Sequence, residues 1–267
     1  MDKKKVTVPS LKEMKQTGEK IVSLTAYDYL LASILDEAGV DVILVGDSGA
    51  MVFAGHETTL PITMDEMIYH VKAVSRGTKR ALLVADMPFL SFQITPEETI
   101  NNAGRFLKEG HAEAVKVEGG QVMAESIRKL VQAGIPVMGH LGLTPQSIHQ
   151  FGGYKVRGSN SIDAQKILED AVVLEQAGAF SIVLEKVPAE LARNVTEKVS
   201  VPTIGIGAGK YCDGQVLVTH DMLGLFEKFR PKFVRRYAEL GTEIRKACER
   251  FAHDVREGKF PNADESY

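Results

Sequence analysis

The sequence predicts a (β/α)8 TIM barrel, a closed ring of eight parallel strands surrounded by helices. Two observations predict this fold class. Short runs of β-branched and aliphatic residues recur along the 267-residue chain, as expected for strands that are buried on both faces. Segments with helical periodicity separate these runs, and the connections are only a few residues long. An open, doubly wound sheet is the alternative, but eight evenly spaced units favour the closed barrel.

The clearest strand lies in the stretch V-D-V-I-L-V-G-D-S-G-A at 40–50. Its aliphatic run is too short and too bulky for one face of a helix, and it stops at Gly46. Gly39 precedes it, where a left-handed residue would end the preceding helix. The strand therefore delivers Asp47 and Ser48, an acid and a hydroxyl, at its C-terminal end. The same unit of helix, glycine, strand and polar end recurs along the chain.

The remaining elements follow in order. We predict strands at 21–24, 40–46, 81–85, 114–117, 136–139, 181–184, 202–206 and 215–218. We predict a short N-terminal helix at 10–17, helices that end near 37 and 133, others at 63–76, 95–109, 161–177 and 188–199, and a capped helix start at 144–147. The pattern T-M-D-E at 63–66 is typical of a capping box, and T-P-E-E at 95–98 combines a cap with a first-turn proline.

The C-terminal part predicts one long amphipathic helix from about Pro231 to Gly258, within the segment 229–258. Apolar residues recur there at helical spacing. No break in composition marks a second domain, so we expect residues 1–267 to form a single barrel domain.

Charge and cysteine content exclude several classes of protein. A net charge of -3 and a pI near 6.2 provide no basic surplus to neutralise phosphates, which argues against nucleic acid as a partner. The two cysteines, Cys212 and Cys248, lack the spacing of a zinc site and fit a reducing compartment. No apolar run approaches the length needed to span a membrane. We therefore expect a soluble cytoplasmic protein.

Polar side chains follow five successive strands, at the end where a barrel carries its active site. They are Asp47 with Ser48, Asp86, Glu118, His140 and Glu185. Four converging carboxylates repel one another unless a cation lies among them, and hard oxygen ligands suit a magnesium-like ion. The ion would take two or three of these acids, and the remaining acid could serve as a base. Lys116, inside the fourth strand, would bind the anionic end of a substrate.

Each of these residues also has a purely structural interpretation. Asp47 could cap a helix, and Glu185 could cap the helix that begins at Pro188. Lys116 could form a structural ion pair, and His140 could be a hydrogen-bonded core residue. The functional interpretation is favoured because all of them occupy the same position in successive repeats.

Longer motifs resemble one enzyme family, the ketopantoate hydroxymethyltransferases of pantothenate biosynthesis. The matching pieces are L-T-A-Y-D (24–28), V-G-D-S (45–48), T-L-P-I-T-M-D-E-M (59–67), D-M-P-F (86–89), V-K-V-E-G-G (115–120), P-V-M-G-H-L-G-L-T-P-Q-S (136–147), G-G-Y-K-V-R-G (152–158), L-E-K-V-P (184–188) and P-T-I-G-I-G-A-G-K-Y-C-D-G-Q-V-L-V (202–218). They cover most of the chain in the order of the family. Lys186 and Arg157 depart from the expected side chains, and neither has a catalytic role.

The resemblance implies an activity and a role for each residue. The family transfers the one-carbon unit of 5,10-methylenetetrahydrofolate to 3-methyl-2-oxobutanoate through a magnesium-stabilised enolate. Asp47, Asp86 and Glu118 match the ligands of one magnesium ion per subunit, and Glu185 matches the proton acceptor. Ser48 and Lys116, with Asp47 and Asp86, match the keto-acid pocket, and His140 is expected to bind or orient the substrate. The resemblance also implies a homo-oligomer, often a decamer.

Two other functions remain open at this point. The first is a magnesium-dependent lyase or mutase of the phosphoenolpyruvate mutase and isocitrate lyase group, which shares the barrel, the metal and enolate chemistry. Those lyases carry a mobile cysteine loop of the K-K-C-G-H type, and this sequence contains no such motif. The second is a non-enzymatic scaffold that assembles through its long C-terminal helix, which the intact acid cluster disfavours.

Overall fold

Eight parallel strands pair in chain order, and the last pairs with the first, so the barrel is closed and the predicted fold class is confirmed. The strands are β1 (Ile21–Thr25), β2 (Val42–Val45), β3 (Leu82–Asp86), β4 (Ala114–Glu118), β5 (Val137–Gly142), β6 (Ser181–Glu185), β7 (Thr203–Ile206) and β8 (Gly214–Leu217). Each observed strand overlaps a predicted one, and the ends differ by a few residues.

The computed structural model describes residues 4–227 and 230–267. The chain divides into two units, Met1–Leu217 and Val218–Tyr267, and all eight strands belong to the first. The single domain over 1–267 therefore stays a prediction.

Helices connect most of the strands of the first unit. They are α1 (Val8–Thr17), α2 (Tyr29–Glu37), α3 (Gly49–Val52), α4 (Met64–Gly77), α5 (Pro96–Lys108), α6 (Ala124–Gln132), α7 (Ile148–Phe151), α8 (Ser161–Gln176) and α9 (Ala189–Lys198). The one-turn helix α3 was not predicted, because its four residues are too few to show helical periodicity.

The centre of the barrel is apolar. Its buried core includes Val42, Val84, Val183 and Val216, from β2, β3, β6 and β8. Leu11 and Met14 of α1 belong to the same core, and the side chain of Leu11 is fully buried. The short N-terminal helix therefore packs on the strands, and the polar site lies beyond the core at the C-terminal ends of the strands.

Local side-chain caps account for several of the helix starts. The Thr63 side chain accepts from the backbone N–H of Glu66, whose side chain accepts from Thr63 in return, so the predicted capping box is present. Thr95 caps α5 in the predicted place. The predicted cap at Thr144 is wrong: its side chain makes no capping hydrogen bond, and a 3₁₀ turn at Pro145–Ser147 precedes α7. The reason is that the backbone N–H of Gln146 donates instead to Glu118 Oε2, at 3.0 Å.

Strand register aligns the polar residues of neighbouring strands. Lys116 pairs with Asp86, and Glu118 pairs with His140. Glu185 lies at the end of β6, opposite Gly142. Since all the strands run in one direction, these side chains meet at one end of the barrel.

The second unit contains a short helix, α10 (Thr219–Met222), and a long one, α11 (Leu240–Arg256). The predicted start near Pro231 is wrong, and residue 229 lies outside the described residues. Residues after Pro231 form turns because their N–H groups bond elsewhere: Tyr237 donates to Met222 O, and Leu240 donates to Leu223 O, both at 2.9 Å. None of the described helices is long and apolar enough to cross a membrane.

Candidate active site

The structure brings the predicted polar residues together at the C-terminal end of the barrel. Asp47, Asp86, Glu118 and His140 are each at most 7% exposed, and Lys116 is 5% exposed. Glu185 is partly open, with 16% of its side chain accessible. The cluster therefore consists of a buried interior and one more accessible carboxylate at its edge.

The Lys116 ammonium lies at the centre of the buried acids. Its Nζ is 3.0 Å from Asp86 Oδ1 and 4.0 Å from Glu118 Oε1. Burial disfavours the charged form of this lysine, but the charges of Asp86, Glu118 and Asp47 outweigh burial and raise its pKa above the usual range. Lys116 is therefore a cation held by carboxylates, and the predicted ion pair is present within the site itself.

His140 lies between two carboxylates and the lysine. Its Nδ1 is 3.4 Å from Glu118 Oε1 and 3.1 Å from Lys116 Nζ, and its Nε2 is 3.3 Å from Glu185 Oε2. Burial and the Lys116 charge oppose protonation of the ring, but Glu118 and Glu185 outweigh them and raise the pKa of His140 to about 9. The Glu118 carboxyl loses solvation on burial, yet contact with His140 and the charge of Lys116 lower its pKa.

The environment of Asp47 disfavours ionisation of its carboxyl group. Burial, followed by the charges of Asp86 and Glu118, raises its pKa to about 8. Its backbone N–H donates to Asp86 Oδ2 at 3.1 Å, which links the ends of β2 and β3. Asp86 also has a raised pKa, because burial outweighs the charge of Lys116. Such a pair of buried acids would be stabilised by an additional cation.

Ser48 and Tyr27 form a hydroxyl pair beside these acids. Ser48 Oγ is 2.9 Å from the hydroxyl of Tyr27, a residue that is 1% exposed. Burial raises the pKa of Tyr27, so this phenol stays neutral. Ser48 was predicted to belong to the site. Tyr27 was not, because a tyrosine after β1 gives no signal that distinguishes it from a core residue.

Gln146 also belongs to the site, although it was not predicted from the sequence. Its Nε2 donates to Asp47 Oδ2 and to Met87 O, both at 2.9 Å. The residue occurs in the stretch T-P-Q-S, whose local pattern is typical of a helix start. No local feature indicates a contact with a residue 99 positions away.

Two structural interpretations raised by the sequence do not apply. Neither Asp47 nor Glu185 caps a helix, because α3 and α9 begin without a side-chain capping hydrogen bond. The polar partners of the His140 ring are Lys116, Glu118 and Glu185, all residues of the cluster, so the ring belongs to the polar site rather than to the apolar core.

The buried acids can accept a divalent cation only with some rearrangement. Within 4–227 and 230–267, no three His, Cys, Asp or Glu side chains are grouped closely enough to hold a metal ion as they stand. Two buried carboxylate oxygens are nevertheless held only by the charged side chains of the site: Asp86 Oδ1 faces Lys116 Nζ at 3.0 Å, and Glu118 Oε1 faces His140 Nδ1 at 3.4 Å. Magnesium binds through one or two carboxylates and otherwise keeps water or substrate oxygens. The donor set therefore fits magnesium better than a metal that needs a complete protein cage.

Comparison with known proteins gives two kinds of similarity. The family model for ketopantoate hydroxymethyltransferase matches residues 5–263. The 3-methyl-2-oxobutanoate hydroxymethyltransferase of Chlorobium luteolum is 58% identical over 266 residues, covering 98% of this chain and 96% of the relative.

Among solved structures, 2,3-dimethylmalate lyase, a member of the PEP mutase/isocitrate lyase superfamily, matches with a TM-score of 0.61 and 16% identity, over 97% of this chain and 91% of that one. Phosphonopyruvate hydrolase in complex with oxalate and Mg²⁺ matches with a TM-score of 0.59 and 14% identity, over 97% and 92%. At such low sequence identity, these two structural similarities show only a shared barrel fold.

Proposed function

The chain belongs to the ketopantoate hydroxymethyltransferase family and is an enzyme of that kind, and on this premise we propose its reaction and the roles of its residues. It transfers the one-carbon unit of 5,10-methylenetetrahydrofolate to 3-methyl-2-oxobutanoate. Water supplies the hydroxyl oxygen, and the products are 2-dehydropantoate and tetrahydrofolate.

We propose that Asp47, Asp86 and Glu118 hold one magnesium ion. The support is the pair of buried oxygens, Asp86 Oδ1 and Glu118 Oε1, which contact the charged Lys116 and His140 side chains but have no other hydrogen-bond partner. When bound, the ion would polarise the keto oxygen of the substrate as a Lewis acid. The magnesium in the related phosphonopyruvate hydrolase barrel agrees with this choice of metal.

Glu185 serves as the base that removes the C3 proton of the keto acid. It is the acid at the open edge of the cluster, where a substrate can reach it, and its Oε2 is 3.3 Å from His140 Nε2. His140 thereby orients the Glu185 carboxylate toward the substrate. Because Lys116 and the other carboxylates are more deeply buried, they are less suited to exchange protons with a substrate.

Lys116, Ser48, Asp47 and Asp86 form the pocket for the keto acid. The Lys116 ammonium attracts the substrate carboxylate, and the Ser48 hydroxyl, held by Tyr27 at 2.9 Å, donates to it. This placement directs C3 toward Glu185. The deprotonated C3 then forms a bond to the methylene carbon of the folate, and the two bonds from that carbon to folate nitrogens break. Water adds a hydroxyl to the transferred carbon, and the two nitrogens take up the proton from C3 and the proton from water.

One observation carries the proposal: a lysine, a histidine and three acids are buried together at the catalytic end of the barrel, next to a more accessible fourth acid. Proton NMR of 3-methyl-2-oxobutanoate in deuterated water tests it. We expect loss of the C3 signal with protein and magnesium, and 2-dehydropantoate after addition of methylenetetrahydrofolate. Absence of exchange under both conditions would contradict the proposal.

A lyase or mutase of the PEP mutase group remains the comparison class for that experiment, because the barrel is shared. No reactive cysteine favours it here. Cys212 is buried and has a raised pKa because of burial, and Cys248 lies on α11 in the second unit. Activity on isocitrate without folate would favour this class over the proposed function.

We propose that the enzyme is a homo-oligomer, a decamer as the family resemblance implies, and that it acts in the cytoplasm without nucleic-acid or membrane partners. Helix α11 supports assembly, because Ile244, Phe251 and Val255 are each about half exposed, at 52%, 55% and 47%. Light scattering should give a mass ten times that of the 29.2 kDa chain. A mass of one chain would contradict the assembly but not the reaction.

A further inference from the structure

Gln146 donates hydrogen bonds to two of the buried acids, Asp47 and Glu118, but has no role in the proposed reaction. It lies between β5 and α7, and it is 6% exposed. Its amide cannot titrate in the range in which enzymes work, so it can be neither the base nor a charged ligand. Its contacts therefore need another explanation.

The polar groups of Gln146 reach the ends of three strands. The Nε2 group uses both of its hydrogens, one for Asp47 Oδ2 after β2 and one for Met87 O after β3, each at 2.9 Å. Its backbone N–H donates to Glu118 Oε2 at the end of β4, at 3.0 Å. One residue thus connects the carboxylates of Asp47 and Glu118.

Chemistry fixes the orientation of this amide. If the side-chain amide were rotated by half a turn, its oxygen would face two acceptors, Asp47 Oδ2 and Met87 O. In the observed orientation Oε1 accepts a hydrogen bond from Gln93 Nε2, at 2.9 Å. Gln93 therefore selects the orientation in which Gln146 donates to the acid.

The contacts also determine which carboxylate oxygens remain for a cation. Gln146 occupies Oδ2 of Asp47 and Oε2 of Glu118, and Glu118 Oε1 has no hydrogen-bond partner besides the charged side chains of the site. Because the amide is neutral, it holds both acids without cancelling their charge. A lysine or arginine in its place would compete with the cation.

We propose that Gln146 is a positioning residue for the divalent cation, and that Gln93 holds it in its donating orientation. The inference rests on the proposed function, since it concerns the metal site of the same reaction. Partners that orient metal ligands in this way typically contribute about 10- to 100-fold in metal affinity.

The test is direct titration of the purified protein with Mn²⁺, followed by electron paramagnetic resonance, with no substrate present. Gln146→Met keeps the length of the side chain and the backbone N–H to Glu118 but removes the amide. We expect its Kd for Mn²⁺ to rise about 10-fold or more. Gln93→Met, which removes only the group that orients Gln146, should raise Kd by a smaller factor.

Gln165→Met is the matched control. It makes the same chemical change at an exposed position of α8, where Gln165 Nε2 donates to Glu169 Oε1 at 2.7 Å, and it should leave Kd unchanged. The C3 proton exchange assay adds a second readout. In Gln146→Met the half-saturating magnesium concentration should rise more than the maximal rate falls, whereas a general loss of structure would lower the rate at every magnesium concentration.

The possible outcomes separate this inference from the proposed function. If the wild-type protein binds no Mn²⁺, the metal-dependent function itself fails. If the wild type binds and a folded Gln146→Met variant binds within twofold of it, the positioning role is overturned. Should Gln146→Met not fold, Gln93→Met decides: an unchanged Kd overturns the proposal, and a raised Kd supports it.

Discussion

Two groups of buried acids lie at opposite ends of the barrel strands, and they differ in how their oxygens are bonded. Asp36 and Asp41 lie near the N-terminal ends and are 8% and 7% exposed. Asp47, Asp86 and Glu118 lie at the C-terminal ends and are buried to the same degree, at 4%, 3% and 7%. Burial alone therefore does not distinguish the groups.

The N-terminal group is fully bonded. Asp36 accepts from the backbone N–H groups of Arg80 and Ala81, at distances from 2.7 to 3.0 Å. Asp41 accepts from the Arg80 guanidinium at 2.8 Å and from Val22 N–H at 3.0 Å. The acids have fixed partners and stabilise the strand starts.

The C-terminal group is bonded less completely, because Asp86 Oδ1 and Glu118 Oε1 have no hydrogen-bond partner besides the charged Lys116 and His140 side chains. The pKa values of Asp47 and Asp86 are raised. Incomplete bonding is costly, and it persists where a ligand completes it. The contrast agrees with the general division of this fold, in which the N-terminal end serves stability and the C-terminal end serves chemistry.

The largest effect should come from the base. In Glu185→Gln we expect C3 proton exchange to fall about 10³-fold, because general base catalysis contributes about 10²- to 10⁴-fold. The NMR exchange assay measures this, and Tm should stay near the wild-type value. Glu190→Gln, the same change at an exposed residue of α9, is the control. Normal exchange in Glu185→Gln would refute the assignment of the base.

Substitution of an acid in the N-terminal group should lower the stability of the folded protein. In Asp41→Asn we expect a loss of about 2–3 kcal/mol in the free energy of unfolding, since the Arg80 guanidinium loses a charged, mostly buried partner. Urea denaturation measures it. Asp65→Asn, which removes an exposed partner of Arg105, should cost less than about 0.5 kcal/mol. Equal losses in the two variants would contradict the distinction between buried and exposed pairs.

Magnesium should stabilise the protein through the C-terminal group only. At ten times its Kd, the ion should add about 1.4 kcal/mol to the free energy of unfolding, because it binds the folded state. Thermal unfolding with and without magnesium measures the effect in the wild type and in Asp41→Asn, which should both respond. Asp86→Asn should not, and a full response in that variant would remove Asp86 from the proposed ligands.

The smallest effect should have the opposite sign to that of Asp41→Asn. The folded pKa of Asp47, about 8, lies above its ordinary value, so the wild type loses stability as pH rises from about 4 to 8. Asp47→Asn keeps an acceptor for Gln146 and removes the charge. In protein stripped of divalent metal we expect it to gain at least about 1 kcal/mol at pH 8 and almost nothing at pH 4. A loss of stability at pH 8 would show that Asp47 is as well satisfied as Asp41.

The sequence allowed prediction of the barrel and of the acids at the ends of its strands. Buried parallel strands consist of short aliphatic runs, and a closed barrel brings every strand end to one rim, so Asp86 and Glu185 could be placed together without knowing any contact. Helix starts at Thr63 and Thr95 were predictable because a cap is a local interaction.

Long-range hydrogen bonds could not be predicted. The pattern around Thr144 indicates a cap, but the N–H of Gln146 bonds to Glu118, which is 28 positions away. Similarly, the apolar periodicity after Pro231 continues through residues whose N–H groups bond to Met222 and Leu223, so the helix begins only at Leu240. In both cases a partner distant in sequence replaced the local one.

The Lys116 ammonium among the acids has a consequence for how the protein is made in a cell. Structural zinc domains stay unfolded until their metal arrives. In this protein the counter-ion is part of the chain itself: the Lys116 ammonium lies 3.0 Å from Asp86 and offsets part of the acidic charge without a metal ion. We therefore expect the barrel to fold in protein stripped of divalent metal, so that metal supply would limit activity and not folding.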